Sequence, residues 1–301
     1  MSTRAILIFG ATGKQGGAVL AKLQQDNKDA EASKRELPFD LYAVSRNASS
    51  SKSQALSKLA GVSVIQGNMD NVGPIFEEAA QRAGHNGLYG VFSVQDAGAN
   101  EVAQGKSIAD HAAKHQVKLL VYSSVEMGGL EDTKVPHFET KRVIEKYTQQ
   151  TYPELALTIL HPVAFMENFN YCQSTFQGKI FSTMLTRDVK RELKYVAVAD
   201  VGHFAALAFE TPEKYKNRTL PLAGDSLTPD QIRTIFKETK GTELPTTYRI
   251  VTWLLLSLVG DLRKMVYLFN TQGYKVNIDE LRKEYPELKT FKQFLETDYE
   301  A

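Results

Sequence analysis

His137 and Lys141 are the residues best suited to acid–base chemistry, and they stand four positions apart in the segment His137-Phe-Glu-Thr-Lys141. On a helix this spacing places both side chains on one face. An imidazole or a lysine amine can donate a proton near neutral pH when burial and neighbouring charges tune its pKa. The hydroxyls of Ser123 and Ser124 end the apolar segment before this helix. We therefore take Ser124, His137 and Lys141 as candidate catalytic residues, on the condition that the protein is an enzyme.

A glycine-rich segment near the N-terminus predicts a phosphate-binding loop. The apolar run from Arg4 to Phe9 meets glycines spaced three apart, and apolar residues then recur at helical spacing. In such a unit the first glycine allows a sharp turn, the second lets a pyrophosphate approach, and the third lets the helix pack on the sheet. The helix N-terminus offers unpaired N–H groups to the phosphates. A purely structural glycine turn is the alternative. The residues expected to hold the dinucleotide here are Gly10, Thr12, Gly13, Lys14, Gln15 and Gly16.

The end of the second predicted strand indicates which dinucleotide binds. The apolar run from Phe39 to Val44 leads into Ser45-Arg46-Asn47. In dinucleotide folds an acid at this place hydrogen-bonds the ribose 2′-hydroxyl, whereas an arginine accommodates a 2′-phosphate. Arg46 therefore favours NADP(H) over NAD(H), and an ordinary solvated arginine is the alternative.

The carboxyl ends of the next strands are expected to line the rest of the cofactor, because such loops border the crevice of a parallel sheet. Asn68 follows the third strand and could reach the adenine ring, although the same residue is typical of a turn. The segment after the fourth strand should pass near the nicotinamide. The remaining candidate cofactor-binding residues are Met69, Ser93, Val94, Gln95, Ser123, Lys141 and Pro162.

The order of elements predicts the fold. Strands alternate with helices up to residue 160, which indicates βαβ units and a parallel sheet. Beyond about residue 169 the pattern is mixed, with β-like segments at 180–181, 194–198 and 219–222 and a helix start at Thr228-Pro229. We therefore predict an α/β fold: a Rossmann-type, doubly wound parallel sheet over residues 1–168, and a smaller α/β lobe over 169–301 that closes a cleft and from which segments can return to the sheet.

Two connections and one long apolar segment complete this prediction. Residues 24–38 are expected to form a polar connection, and 49–53 a solvent-exposed loop. The segment 250–268 is too apolar for an ordinary surface helix. We expect it to be buried against the smaller lobe, with a partner groove or a mobile lid as alternatives. Its longest apolar run is about half the length needed to span a bilayer.

Composition and charge argue against several classes of function. The 301 residues include 36 basic and 35 acidic side chains, a net charge of +1 that creates no overall field toward nucleic acid or an anionic membrane. Cys172 is the single cysteine, so neither an internal disulfide nor a cysteine metal cluster can form. His111 and His115 have metal-ligand spacing, but no third ligand accompanies them, and we predict no metal site. The first strand begins almost at once, so we expect a cytoplasmic protein, with nuclear entry left open, that is a monomer or a homodimer.

Several motifs together resemble the NmrA-like family of atypical short-chain dehydrogenase/reductases. The motifs are Gly10-Ala-Thr-Gly-Lys-Gln-Gly16, Arg46, Gly90-Val-Phe92, His137-Phe-Glu-Thr-Lys141, Pro162-Val-Ala-Phe-Met-Glu-Asn168 and Val198-Ala-Asp-Val-Gly202. The resemblance implies an NAD(P)-binding Rossmann domain with a small lobe. Its members are redox sensors that bind regulators such as transcription factors, and NAD(P)H-dependent reductases, including quinone reductases.

The resemblance also implies roles for individual residues. The loop from Gly10 to Gly16 would hold the pyrophosphate, Arg46 the 2′-phosphate and Lys141 the nicotinamide ribose. The chain departs from the family in the long connection before the second strand and in Asn68, where many relatives have aspartate.

The largest departure from typical short-chain dehydrogenases concerns the proton donor. Their catalytic tyrosine precedes the lysine by four residues, and here that position is His137. Tyr122 is not expected to replace it, because strand alternation points Tyr122 away from the side of Ser123. Two functions follow: an NADP(H)-binding redox sensor or regulator that acts through protein partners, or an NADPH-dependent reductase of quinones or other small carbonyl compounds in which His137 or Lys141 is the acid.

Overall fold

The structure of the protein, a computed structural model, describes residues 3–34 and 38–300. Its strands are β1 Arg4–Ile8, β2 Phe39–Ser45, β3 Val62–Gln66, β4 Gly90–Ser93, β5 Leu119–Ser123, β6 Leu157–Pro162, β7 Ala164–Phe165, β8 Leu193–Val196, β9 Arg218–Leu222 and β10 Asp225–Leu227. Its helices are α1 Lys14–Ala32, α2 Ser51–Leu56, α3 Gly73–Ala83, α4 Glu101–Lys114, α5 Pro136–Thr151, α6 Phe176–Thr183, α7 Val198–Glu210, α8 Pro212–Tyr215, α9 Pro229–Lys240, α10 Arg249–Leu258, α11 Gly260–Thr271, α12 Ile278–Glu284 and α13 Phe291–Thr297.

The larger sheet has the strand order β3-β2-β1-β4-β5-β6-β9, and the pairs from β3 to β6 are parallel. This is the order of a doubly wound dinucleotide-binding sheet, which reverses its direction of winding between β1 and β4. The loops that leave β1 and β4 therefore lie at the switch point, where ligands of such sheets bind. The predicted Rossmann-type α/β fold is confirmed.

The chain forms two compact units that interleave along the sequence. The first contains the residues up to Ser124 together with Thr140–Leu160 and Val201–Leu220. The second contains Val125–Glu139, His161–Asp200 and the residues from Pro221 onward, and it includes a mixed sheet of order β10-β8-β7. In that sheet β8 is antiparallel to β10 and parallel to β7. Residues 201–220 return to the first unit, and a domain boundary at residue 168 stays a prediction.

The connection expected over residues 24–38 is largely helical, because α1 continues to Ala32. Asn27 lies within this extension, and its buried side-chain amide donates to the Phe39 carbonyl (2.9 Å) and accepts from the Phe39 N–H (3.1 Å). One polar side chain thus ties α1 to the start of β2. Residues 35–37 of the predicted connection lie outside the described residues.

Two short segments also differ from expectation. Residues 51–53 begin α2 rather than a loop, because Ser50 caps the helix by accepting from the Ser53 N–H (3.2 Å). The expected strand at 180–181 lies within α6, whose N-cap Thr175 accepts from the Gly178 N–H (3.1 Å). A two-residue apolar run cannot distinguish strand from helix, and the caps decide.

The helix start at Thr228-Pro229 is confirmed, and α9 begins with a capping box between Thr228 and Gln231. The segment 250–268, by contrast, is divided at Val259 into α10 and α11. Its predicted burial is wrong for α10, where Trp253 is 60% exposed and Leu258 is 83% exposed.

Candidate functional site

The glycine loop has the backbone geometry that a pyrophosphate site requires. Gly10 has a φ of +70° and accepts a hydrogen bond from the Gly13 N–H (2.9 Å), which closes the turn after β1. A Cβ on Gly16 would lie 2.3 Å from the Gly10 carbonyl oxygen, so a side chain there would displace the loop. Gly13 is the N-cap of α1 and is exposed together with Lys14. The N-terminus of α1 therefore faces accessible space, as anion binding demands.

The end of β2 presents Arg46 on a rigid support. Arg46 is exposed and forms no ion pair or hydrogen bond with another residue of the described ranges. Behind it, the buried Ser53 hydroxyl donates to Ser45 Oγ at 2.7 Å and lies 2.9 Å from the Asn47 carbonyl oxygen. These contacts fix the backbone around the guanidinium while leaving its donors available.

The segment after β3 is a hydrogen-bonded turn. The Asn68 side chain donates to Asp70 (3.0 Å) and accepts from the Asp70 N–H (3.2 Å). Asp70 also accepts from Gln104 (2.7 Å) and Asn100 (3.1 Å), and these hydrogen bonds lower the pKa of its carboxyl group. Asn68 is exposed, whereas Met69 packs partly buried against the apolar core of the first unit.

The ends of β4 and β5 carry buried polar side chains. Gln95 donates to the Ser93 hydroxyl (2.8 Å), while Val94 is half-buried beside Gly10. Ser123 donates to the Gln15 side chain (2.5 Å) and so connects β5 to the glycine loop. Ser124 donates to Glu145 instead, which lies one helical turn beyond Lys141. Ser123 therefore belongs with the predicted loop residues, and the Ser124 hydroxyl has a carboxylate acceptor.

Lys141 forms an ion pair that the sequence analysis missed. Its Nζ lies 2.8 Å from Glu101 Oε1, and the Lys141 and Glu101 side chains are 13% and 1% exposed. The second oxygen of Glu101 accepts from the Thr140 hydroxyl (2.7 Å), and Lys141 also approaches the Gln95 carbonyl oxygen (3.5 Å). Glu101 is the first residue of α4, a position at which acids usually serve only the helix dipole. Nothing in the sequence indicates that Glu101 is buried or that it pairs with Lys141, which lies on a helix forty residues away.

His137 belongs to the second unit and has its own acidic partner. Its Nδ1 lies 2.7 Å from Asp261 Oδ2, in the first turn of α11, and both side chains are partly buried. The edge of its ring meets Phe138 (centroids 4.8 Å apart). A carboxylate in this position holds an imidazole ring in one orientation. Asp261 was not predicted from the sequence, because it lies 124 residues from His137.

Tyr122 is excluded as a replacement acid. It is 2% exposed in the apolar core of the first unit, and its hydroxyl is buried with no hydrogen-bond partner among the described residues. Burial raises the pKa of this phenol well above its usual value.

The last predicted residue, Pro162, is buried at the end of β6, and its carbonyl oxygen accepts from the Glu126 N–H (3.0 Å).

The described residues contain no group of three or more His, Cys, Asp and Glu side chains that could hold a metal ion. His111 and His115 instead pack against Phe76, with ring centroids 5.6 and 5.5 Å apart. Across the same described ranges, no helix is long and apolar enough to cross a membrane.

A family model described as the NmrA-like family matches residues 2–295. The chain belongs to the NmrA-like family. It is 28% identical over 283 residues to an NmrA-like family domain-containing protein of Dictyostelium discoideum, with 90% of this chain and 89% of the relative covered. It is 32% identical over 181 residues to the NmrA-like family domain-containing oxidoreductase FrzB of a Cladobotryum species, with 56% of this chain and 48% of FrzB covered.

Solved structures of the same fold include a regulator and a reductase. NmrA, a negative transcriptional regulator crystallised in complex with NADP, has a TM-score of 0.73 and 18% identity, and 99% of this chain and 96% of NmrA are covered. The triphenylmethane reductase of a Citrobacter species, complexed with NADP(H), has a TM-score of 0.70 and 19% identity, with 98% and 99% covered. At such identities these likenesses establish the fold alone.

Proposed function

We propose that this NmrA-like protein binds NADP(H) and acts as a redox sensor or regulator through protein partners. The observation that carries the proposal is the pairing of Lys141 with the buried Glu101. In a short-chain dehydrogenase the lysine cation helps to lower the pKa of the acid beside it. Here a carboxylate 2.8 Å away offsets that charge, so the position suits a hydrogen-bond donor to a ribose better than an electrostatic aid to catalysis.

The cofactor would be held mainly by residues of the first unit. The α1 N-terminus and the loop from Gly10 to Gly16 would bind the pyrophosphate, and Arg46 the 2′-phosphate. Asn68 and Met69 would border the adenine, whereas Ser93 to Gln95, Ser123 and Lys141 would border the nicotinamide half. Pro162, a residue of the second unit, stays a predicted cofactor contact. The cofactor itself supplies hydride chemistry when it is bound. A reducing, cytoplasmic location fits the single, buried Cys172.

A reductase of quinones or other small carbonyl compounds is the second candidate, and one contact favours it. The His137–Asp261 pair has the arrangement of a general acid with its orienting carboxylate. The oxidoreductase name of FrzB and the reductase among the structural relatives give this candidate further support. In this function His137 would donate the proton that accompanies hydride transfer.

Binding and turnover measured on the same protein distinguish the two functions. For a sensor we expect calorimetry to show NADPH binding, while NADPH consumption with a panel of quinones and aldehydes stays far below about 1 s⁻¹. Lys141→Ala should weaken NADPH binding by about 1 to 3 kcal/mol through loss of a ribose contact. Lys146→Ala, which removes an exposed lysine from the same helix, is the matched control. Turnover at ordinary enzymatic rates would reject the sensor and support the reductase.

A further inference from the structure

The outward side of α10 is an apolar surface. Leu258 is 83% exposed, Trp253 60%, Ile250 58% and Leu254 48%. At about 100° per residue these four side chains fall within an arc of about 140° on the helix. We call Ile250, Trp253, Leu254 and Leu258 the α10 surface. Isolated exposed leucines are normal, but contiguous apolar side chains on one helix face indicate an interaction site.

A basic pocket borders the α10 surface. It has a volume of about 410 Å³ and is lined by Thr186, Arg187, Lys190, Arg233 and Arg249. Arg249 is the first residue of α10, and Trp253 follows it by one helical turn. The apolar side chains and the cations are therefore continuous on the second unit.

Two of the four cations lack an acidic partner. Arg233 pairs with Asp230, and Arg249 lies 3.9 Å from Asp188. Arg187 donates to the Thr246 hydroxyl (3.2 Å), and Lys190 donates to the Arg187 carbonyl. Within the described ranges, neither Arg187 nor Lys190 has a carboxylate within ion-pair distance. The pocket thus has about two uncompensated positive charges and suits a phosphate group.

A partner that covers both the α10 surface and the basic pocket must be apolar where it meets α10 and anionic where it meets the pocket. The most exposed side chains lie at the two ends of α10, Tyr248 (82%) at its N-cap and Leu258 at its last residue, and their exposure argues against a helix docked in a groove. Projecting leucine, isoleucine and aromatic side chains with basic residues at their edge are typical of proteins that lie in a membrane interface.

We propose that this surface binds the interface of a membrane rich in anionic phospholipids. The α10 surface would enter the boundary between headgroups and acyl chains, and the basic pocket would bind a headgroup phosphate. The protein would thus lie on the membrane surface, and no helix of the described residues is long and apolar enough to span a bilayer. The net charge of +1 does not oppose it, because the attraction is local and acts within a Debye length. The inference goes beyond cofactor binding and does not depend on it.

Trp253 makes the test direct, because it is the only tryptophan of the chain and lies within the α10 surface. We expect its fluorescence to shift to shorter wavelength when full-length protein meets vesicles of phosphatidylcholine with 30% phosphatidylserine, a composition we choose for the experiment, at about 0.05 M salt. The protein should also sediment with these vesicles, and do so less at about 0.5 M salt. Pure phosphatidylcholine vesicles should bind it at least several-fold more weakly.

Variants separate the two parts of the surface. Each lost cation should lower the vesicle partition coefficient about fivefold, so Arg187→Gln with Lys190→Gln should lower it about 25-fold. Leu258→Glu should lower it about tenfold or more. Lys52→Gln and Val143→Glu are controls, because they change an exposed cation and an exposed apolar side chain of the first unit. Arg249→Gln serves as a second charge variant in case the double variant does not fold.

Three results would overturn the proposal. One is the absence of a fluorescence shift and of sedimentation with anionic vesicles. Another is equal binding by the wild type and by both the Leu258 and the pocket variants. The third is a shift of Trp253 fluorescence that appears without vesicles as the protein concentration rises, together with dimers in sedimentation velocity. In that case a second copy of the chain would cover α10. NADPH binding by calorimetry is measured separately, so its failure would affect only the proposed sensor function.

Discussion

Lys141 and His137 are one helical turn apart in sequence but have different carboxylate partners. Lys141 pairs with a fully buried glutamate that also accepts from Thr140, so its ammonium group is fixed and its charge is offset. His137 pairs with a partly exposed aspartate, so its ring is oriented while it stays accessible. The contrast supports the proposal that Lys141 binds the cofactor and that His137, if the protein is an enzyme, donates the proton.

Arg46 should determine the preference between NADPH and NADH. Since Arg46 has no ionic partner among the described residues, a 2′-phosphate would gain its full charge-assisted hydrogen bonds. NADPH should bind more tightly than NADH, and Arg46→Ala should remove most of that difference, about 1.5 to 3 kcal/mol, with little effect on NADH. Calorimetric titration with both cofactors measures this, and Lys58→Ala on the exposed surface is the control. Equal affinities in the native protein would disprove the preference.

His137 gives a prediction that separates binding from proton transfer. We expect His137→Ala to leave NADPH affinity nearly unchanged, because the proposed ribose contact comes from Lys141. If a reductase activity is found, the same change should lower turnover by about 10² to 10⁴, with a smaller loss for Asp261→Asn, which removes only the orienting charge. Calorimetric titration measures the NADPH affinity and single-turnover NADPH oxidation measures the rate, with the exposed His85→Ala as control. Full turnover in the His137 variant would exclude this residue as the acid.

At the scale of elements, the sequence predicted the strands and helices of the parallel sheet better than the remaining segments. Parallel strands such as β1 and β5 are buried apolar runs, which stand out from the helices between them. The contact of α1 with β2 could not be predicted, because the hydrogen bonds between Asn27 and Phe39 join residues twelve positions apart. The exposure of α10 was equally hidden, since an apolar helix normally predicts burial.

For the candidate site, the sequence predicted the groups at strand ends but not their partners. The glycine loop could be found because its spacing is local and its geometry is set by backbone sterics at Gly10 and Gly16. Glu101 and Asp261 could not, because each meets its partner only through the tertiary fold, and a single acid has no pattern of its own. The sequence therefore predicts the backbone geometry of the loop better than the ionic partners of Lys141 and His137.

At the scale of the whole molecule, stability should depend on a buried acid far from the glycine loop in sequence. Asp200 is 1% exposed in the second unit, and its Oδ2 accepts from the Lys289 N–H (3.0 Å). Burial raises the pKa of this carboxyl group to about 7, despite the opposing effects of that hydrogen bond and of the lysine charge. An unfolded aspartate has a pKa of about 3.9, so between about pH 4 and pH 7 the folded protein retains a proton that the unfolded chain releases.

The free energy of unfolding should therefore fall as pH rises through this window, by up to roughly 4 kcal/mol from this group, and level off above about pH 7. Asp200→Asn keeps an oxygen to accept from Lys289 but does not titrate. We expect the variant to match the wild type near pH 4 and to exceed its stability increasingly up to pH 8, as measured by urea unfolding at several pH values. Asp279→Asn, at an exposed position of α12 in the same unit, controls for the change in net charge. A constant difference between wild type and Asp200→Asn across this range would show that Asp200 is ionised in the folded protein and that its burial is compensated by the charges of Lys289 and Arg282.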